Sequence, residues 1–149
     1  MSMPGLSGSD PFDLARFVDA QEGVFEQACA ELRAGRKVTH WMWFVFPQIA
    51  GLGQSAVSRR YAIRSLAEAR GYLGHPLLGP RLTAATGLVL AVPGRTLYQI
   101  FGDPDELKFR SCMTLYEAAE EAGSVFGEAI ERMCGGARDE ATLALLTAN

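Results

Sequence analysis

Helix-starting and helix-stopping residues recur along this chain so often that no single element can run far. Asp10-Pro11 and Asp103-Pro104 each place an acceptor side chain before a proline suited to a first helical turn. Ser65 with Glu68 three residues on matches a capping box, and Asp103 with Glu106 repeats it. Gly35, Gly74, Gly102 and Gly135-Gly136 close helical stretches, and Pro93-Gly94 breaks another. Between these marks apolar residues return at helical spacing: Leu14, Phe17 and Val18; Val24, Ala28 and Leu32; Leu78, Leu82, Ala85, Leu88 and Val89; Phe109, Cys112, Met113, Tyr116 and Ala119. No segment alternates apolar and polar residues as a strand does, and no fixed-period repeat emerges. The expected fold is all-α: an irregular multihelical single domain of many short helices rather than a four-helix bundle. Helices are expected over about 10–21, 24–34, 39–46, 55–61, 66–73, 76–92, 96–101, 104–121, 124–134 and 139–148. Residues 1–9, rich in Gly, Ser and Pro, are expected to be a disordered tail before a domain spanning 10–149.

One domain is what 149 residues accommodate, and 48% hydrophobic with 21% charged residues is the balance of a chain that buries a core. A net charge of −3 argues against nucleic acid, whose phosphates need a local excess of Lys and Arg. Arg59, Arg60 and Arg64 read as a solvated face. A nucleic-acid surface would need them to share one side with Arg70 and Arg81. Cys29, Cys112 and Cys134 are odd in number, widely spaced and without a C-x-x-C pair, which argues against a disulfide scaffold and against a metal site. The start of the chain lacks a signal-peptide pattern, and no run nears the roughly 20 apolar residues that span a bilayer. A reducing, cytoplasmic setting without membrane attachment is the expectation, and no cofactor motif is present.

Chemistry concentrates in Thr39-His40-Trp41-Met42-Trp43-Phe44-Val45-Phe46-Pro47-Gln48. Thr39 is the expected N-cap of a short helix and Pro47 its stop. The His40 imidazole can give or take a proton and is an acid-base candidate, while Trp41 or Trp43 offers a face to a planar ligand. The competing reading makes the block plain core. Gln48, Gly51, Gly53 and Ser55 follow as a polar, glycine-bearing loop able to turn tightly or present backbone N–H groups to an anion. Asp105, Lys108 and Ser111 fall at three-residue intervals along one side of the longest helix. There Lys108 could take a phosphate or carboxylate and Asp105 could act as a base, or the pair could be a surface salt bridge. His75 before Pro76 reads as a turn or cap, and Cys112 as a small buried hydrophobe.

The run K-V-T-H-W-M-W-F-V-F-P-Q-I-A-G-L-G-Q-S, with Y-A-I, H-P-L-L-G-P-R-L and D-E-L-K-F-R-S-C-M-T-L further on, resembles an uncharacterised bacterial family catalogued as domain of unknown function eighteen-ten. The resemblance covers about residues 10–146. It implies a small, mainly helical domain, with His40, Trp41, Trp43, Pro47, Gln48, Gly51, Gly53, Ser55, Tyr61, His75, Asp105, Lys108 and Ser111 on its motif positions. Some members carry the label calpastatin, which does not suit a compact chain without long disordered repeats. The expectation is a pocket of polar and aromatic residues where 40–55 meets the start of the 104–121 helix, able to bind a nucleotide-like or ADP-ribose-like small molecule, with hydrolysis as the turnover to test first. The alternative is a protein-interaction module without catalytic activity.

Overall fold

The computed structural model describes residues 10–120 and 124–148. The expected tail over 1–9 lies outside them, as does the last expected residue of the longest helix. Among the described residues ten helices follow one another: α1 (Ala15–Gln21), α2 (Phe25–Arg33), α3 (Met42–Val45), α4 (Ala56–Arg60), α5 (Leu66–Gly74), α6 (Leu78–Ala91), α7 (Leu97–Phe101), α8 (Asp105–Ala119), α9 (Val125–Met133) and α10 (Glu140–Ala148). Among the described residues there is no strand; one parallel bridge pairs Ile49 with Ile63. The domain is all-α, as the punctuation requires.

Capping explains most boundaries and several departures. The hydroxyls of Ser55, Ser65 and Ser124 accept from the amides of Ser58, Glu68 and Gly127, and Thr96 with Gln99 forms a complete capping box at α7. Asp10 caps as expected, accepting from the amides of Leu14 and Ala15, but Asp13 lies at φ 54° and α1 starts only after it. Thr39 does not cap α3: its hydroxyl donates to Glu31, and the helix begins at Met42. The Ser65 box is only half formed, because Glu68 turns to the Arg64 amide and to Arg16 instead of reaching back. At α8 no side chain caps the helix, so the Asp103/Glu106 box is absent too. His75 is the cap it was read as, its Nδ1 accepting from the Leu77 and Leu78 amides.

α8 is the central element, packed against α5, α7, α9 and α10, while α6 packs on α2, α5 and α9. Its stripe of Phe109, Cys112, Met113, Tyr116 and Ala119 is buried along its length. Aromatic edges knit the core across elements: Phe46 lies 5.2 Å from Phe109 and 5.8 Å from Phe101, and Tyr72 lies 5.5 Å from Tyr116. Among the described residues no helix is long and apolar enough to cross a membrane.

Candidate functional site

The aromatic block divides around α3. Trp41, Met42, Val45 and Phe46 are buried, whereas Trp43, about a hundred degrees around the helix from Met42, is only half-buried. Trp41, expected as a possible stacking face, is 1% exposed and its indole N–H donates to Glu31 at 2.9 Å. It is core, and the tryptophan that lines the larger cavities is Trp43.

Three cavities meet at Trp43. The largest, about 290 Å³, is walled by Trp43, the Gln48–Gly53 loop, Tyr61 and Ala62, with Ser58, Arg59 and Arg64 on its rim. A second, about 170 Å³, shares Trp43, Gln48, Leu52 and Gly53 and is completed by Pro104, Leu107, Lys108 and Ser111 of the α8 start and by Asp139. A shallow third, about 90 Å³, holds Lys37, His40, Asp105 and Lys108. Gln48 lines the first two and is 9% exposed, yet its Nε2 has no hydrogen-bond partner. Buried amide donors are nearly always paired, and an unmet one costs roughly 1–3 kcal/mol.

The glycines of the loop are set by close packing. Gly51 sits at φ 106°, and a Cβ there would lie 3.1 Å from Leu145 of α10. A Cβ on Gly53 would meet Ser58 at 2.7 Å. These contacts hold the loop against α4 and α10, and the loop also lines the larger cavity.

On the far side of Trp43 charges alternate with rings. Lys108 Nζ stands 4.0 Å above the Trp43 ring and 3.1 Å from Asp105; Lys37 Nζ lies 2.8 Å from the same carboxylate and 5.2 Å from the Trp41 ring. Burial alone would push the Asp105 carboxyl up, but the two ammonium groups outweigh it and hold the group below its ordinary range. A carboxylate so held is a poor proton acceptor. His40 is exposed at the edge of this shallow cavity.

Two buried carboxylates position the site. Glu31 accepts from the amides of Val38 and Thr39, the Thr39 hydroxyl, Gln27 and Trp41, which fixes the approach to α3. Burial pushes its carboxyl up, but these bonds, those of Thr39 foremost, prevail and lower it to about 2. Glu68, 1% exposed, pairs at 2.7 Å with Arg16, 4% exposed. Arg16 also donates to the carbonyls of Arg60 and Ala62, the latter on the wall of the larger cavity.

The structure thus brings Trp43, Gln48, Gly51, Gly53, Lys108 and Ser111 onto the two larger cavities and puts His40 and Asp105 on the third. Ser111 donates its hydroxyl to the Leu107 carbonyl, leaving its oxygen to accept. Ser55 is apart from them, serving as the α4 cap. Arg59, Arg64 and Asp139 line cavities although the sequence presents them only as a solvated face and a helix start. Arg70 and Arg81 do not join Arg59 and Arg64: Arg70 donates to the Ala119 carbonyl, and Arg81 donates to Gln21 and lies over Phe25.

The chain is similar to a solved structure of the conserved hypothetical protein Rv1873 from Mycobacterium tuberculosis, with 54% sequence identity and a TM-score of 0.92 over 94% of this chain and 100% of that one. No curated protein matches it. A family model described as protein of unknown function (DUF1810) matches residues 11–146, and the chain belongs to that family.

Proposed function

We propose that this protein binds a nucleotide-like small molecule, of the size range that includes ADP-ribose, in the joined cavities around Trp43. The unpaired Gln48 amide carries the reading: it lies between two cavities and lacks the acceptor that a ligand's ring nitrogen, carbonyl or hydroxyl supplies. Trp43 has one face under the Lys108 ammonium and lines both larger cavities, where an aromatic ring can meet a planar group. The larger cavity is close to the lower end of ordinary ligand pockets, and the second extends it past Ser111 and Asp139.

Hydrolysis of a glycosidic or phosphoester bond is the turnover such a ligand admits. For it His40 is the proton-transfer group, and Asp105 orders Lys37 and Lys108 rather than taking a proton. The interaction-module alternative has less support. The large exposed apolar side chains, Val38, Val57, Tyr98, Leu107 and Leu143, fall one to a segment, whereas polar groups converge on the cavities.

The test is a thermal-shift and tryptophan-fluorescence screen against nucleotides, ADP-ribose, NAD and sugar phosphates. A ligand of the native state raises the apparent Tm by mass action. The expected result is a shift and a change in Trp43 emission, both lost in Trp43→Leu and Gln48→Leu. No response to any compound overturns the proposal.

A further inference from the structure

Resting on that binding reading, we infer that the ligand carries an anionic group, a phosphate, and that Arg59 and Arg64 on the rim of the larger cavity receive it.

The charge inventory of the cavities supports this. The second cavity sets Lys108 against Asp139, and the third sets Lys37 and Lys108 against Asp105. The larger cavity is lined by two arginines and by no acidic residue. Among the described residues neither Arg59 nor Arg64 forms a salt bridge. Arg59 reaches only the neutral Gln54 side chain, at 3.3 Å, and the intervening Arg60 is engaged with the hydroxyl and ring of Tyr61. In a chain of net charge −3, two uncompensated cations beside an apolar, aromatic-walled space define a place for an amphipathic anion.

The cationic pair is also held in place from below. Arg16 grips the carbonyls of Arg60 and Ala62, and Glu68 accepts from the Arg64 amide, so the backbone between the two arginines is anchored to a buried ion pair. Guanidinium forks match the oxygen spacing of a phosphate, and two of them suit a dianion. The resulting ligand class is a planar ring bearing a phosphate, a nucleoside monophosphate in size: ring on Trp43 and Tyr61, amide contact to Gln48, phosphate at the rim.

The experiment is a fluorescence titration of the full chain with AMP, adenosine and ADP-ribose at low and high salt, repeated with the double variant Arg59→Gln/Arg64→Gln. Both arginines are exposed, and circular dichroism checks that the variant is folded. The wild type is expected to bind AMP about tenfold or more tighter than adenosine, with the advantage shrinking in salt. In the double variant the two affinities should converge, while Arg59→Lys/Arg64→Lys keeps part of the gap. Equal binding of AMP and adenosine by the wild type overturns the phosphate assignment and leaves the pocket standing. An AMP preference that survives intact in the double variant overturns the arginine assignment. Absence of binding by all three compounds overturns the pocket reading and this inference with it.

Discussion

Lys108 holds its ammonium 4.0 Å above the Trp43 ring while bonding Asp105 at 3.1 Å, so the indole at the centre of the cavity system is clamped by the first turns of α8. Lys108→Met keeps the stem and removes the charge. It should lower stability by about 1 kcal/mol, the range of a partly desolvated cation–π contact, and should shift Trp43 emission in the ligand-free protein. Urea unfolding and steady-state fluorescence read the two effects; an unchanged spectrum would show that the ammonium does not hold the ring.

Gln48→Leu should separate stability from binding. Removing an unmet buried amide is expected to raise ligand-free stability by about 1 kcal/mol, since the replacement has no donor to leave unsatisfied. Ligand affinity should fall in the same variant. A protein that is destabilised and still binds normally would contradict both halves.

Breaking the Arg16–Glu68 pair should be among the most damaging single changes. Glu68→Gln leaves a guanidinium buried beside a neutral amide, and Arg16→Met leaves a bare carboxylate; each should cost roughly 3–5 kcal/mol in denaturant unfolding. Combining Arg16→Met with Glu68→Leu should recover part of the loss. Because Arg16 also holds the Arg60 and Ala62 carbonyls, the double variant should still bind ligand weakly.

Acid should attack the approach to α3. Glu31 has a folded value of about 2 against an ordinary 4.5. A lowered carboxyl stabilises the fold fully above its unfolded value and loses that contribution as the proton returns. The Glu31 contribution is therefore complete above about pH 4.5 and fades as the pH falls toward 2. Asp105, also lowered, acts with the same sign. Melting curves from pH 7 to pH 2 should show a flatter acid limb in Glu31→Gln, together with a loss of roughly 1–3 kcal/mol at neutral pH from the orphaned donors.

Much of the architecture is legible from local chemistry because short-range rules act within a few residues. Ser55, Ser65 and Ser124 cap helices where they stand, and the α8 stripe is buried position for position. Long-range pairing is where the reading runs out. Nothing local says that Glu31 will turn back to collect Thr39 and Trp41, or that Arg16 will meet Glu68 across 52 positions, since a charged side chain on a short helix ordinarily faces water. The same blindness merges Trp41 and Trp43 into one aromatic block, although two positions along the chain are enough to put one in the core and the other on the cavity. It also files Arg59 and Arg64 as surface, because the space beside them exists only once the Gly51–Gly53 turn has folded against Ser58 and Leu145.

The bridge between Ile49 and Ile63 gives the larger cavity a stitched back seam. The Ala50 amide donates to the Ile63 carbonyl and the Ile63 amide to the Gln48 carbonyl, both at 2.8 Å, so the two stretches behind the pocket cannot part without breaking both bonds. The pouch is thus pinned along its back, and the amides of Ala50 and Ile63 should be slow to exchange with solvent.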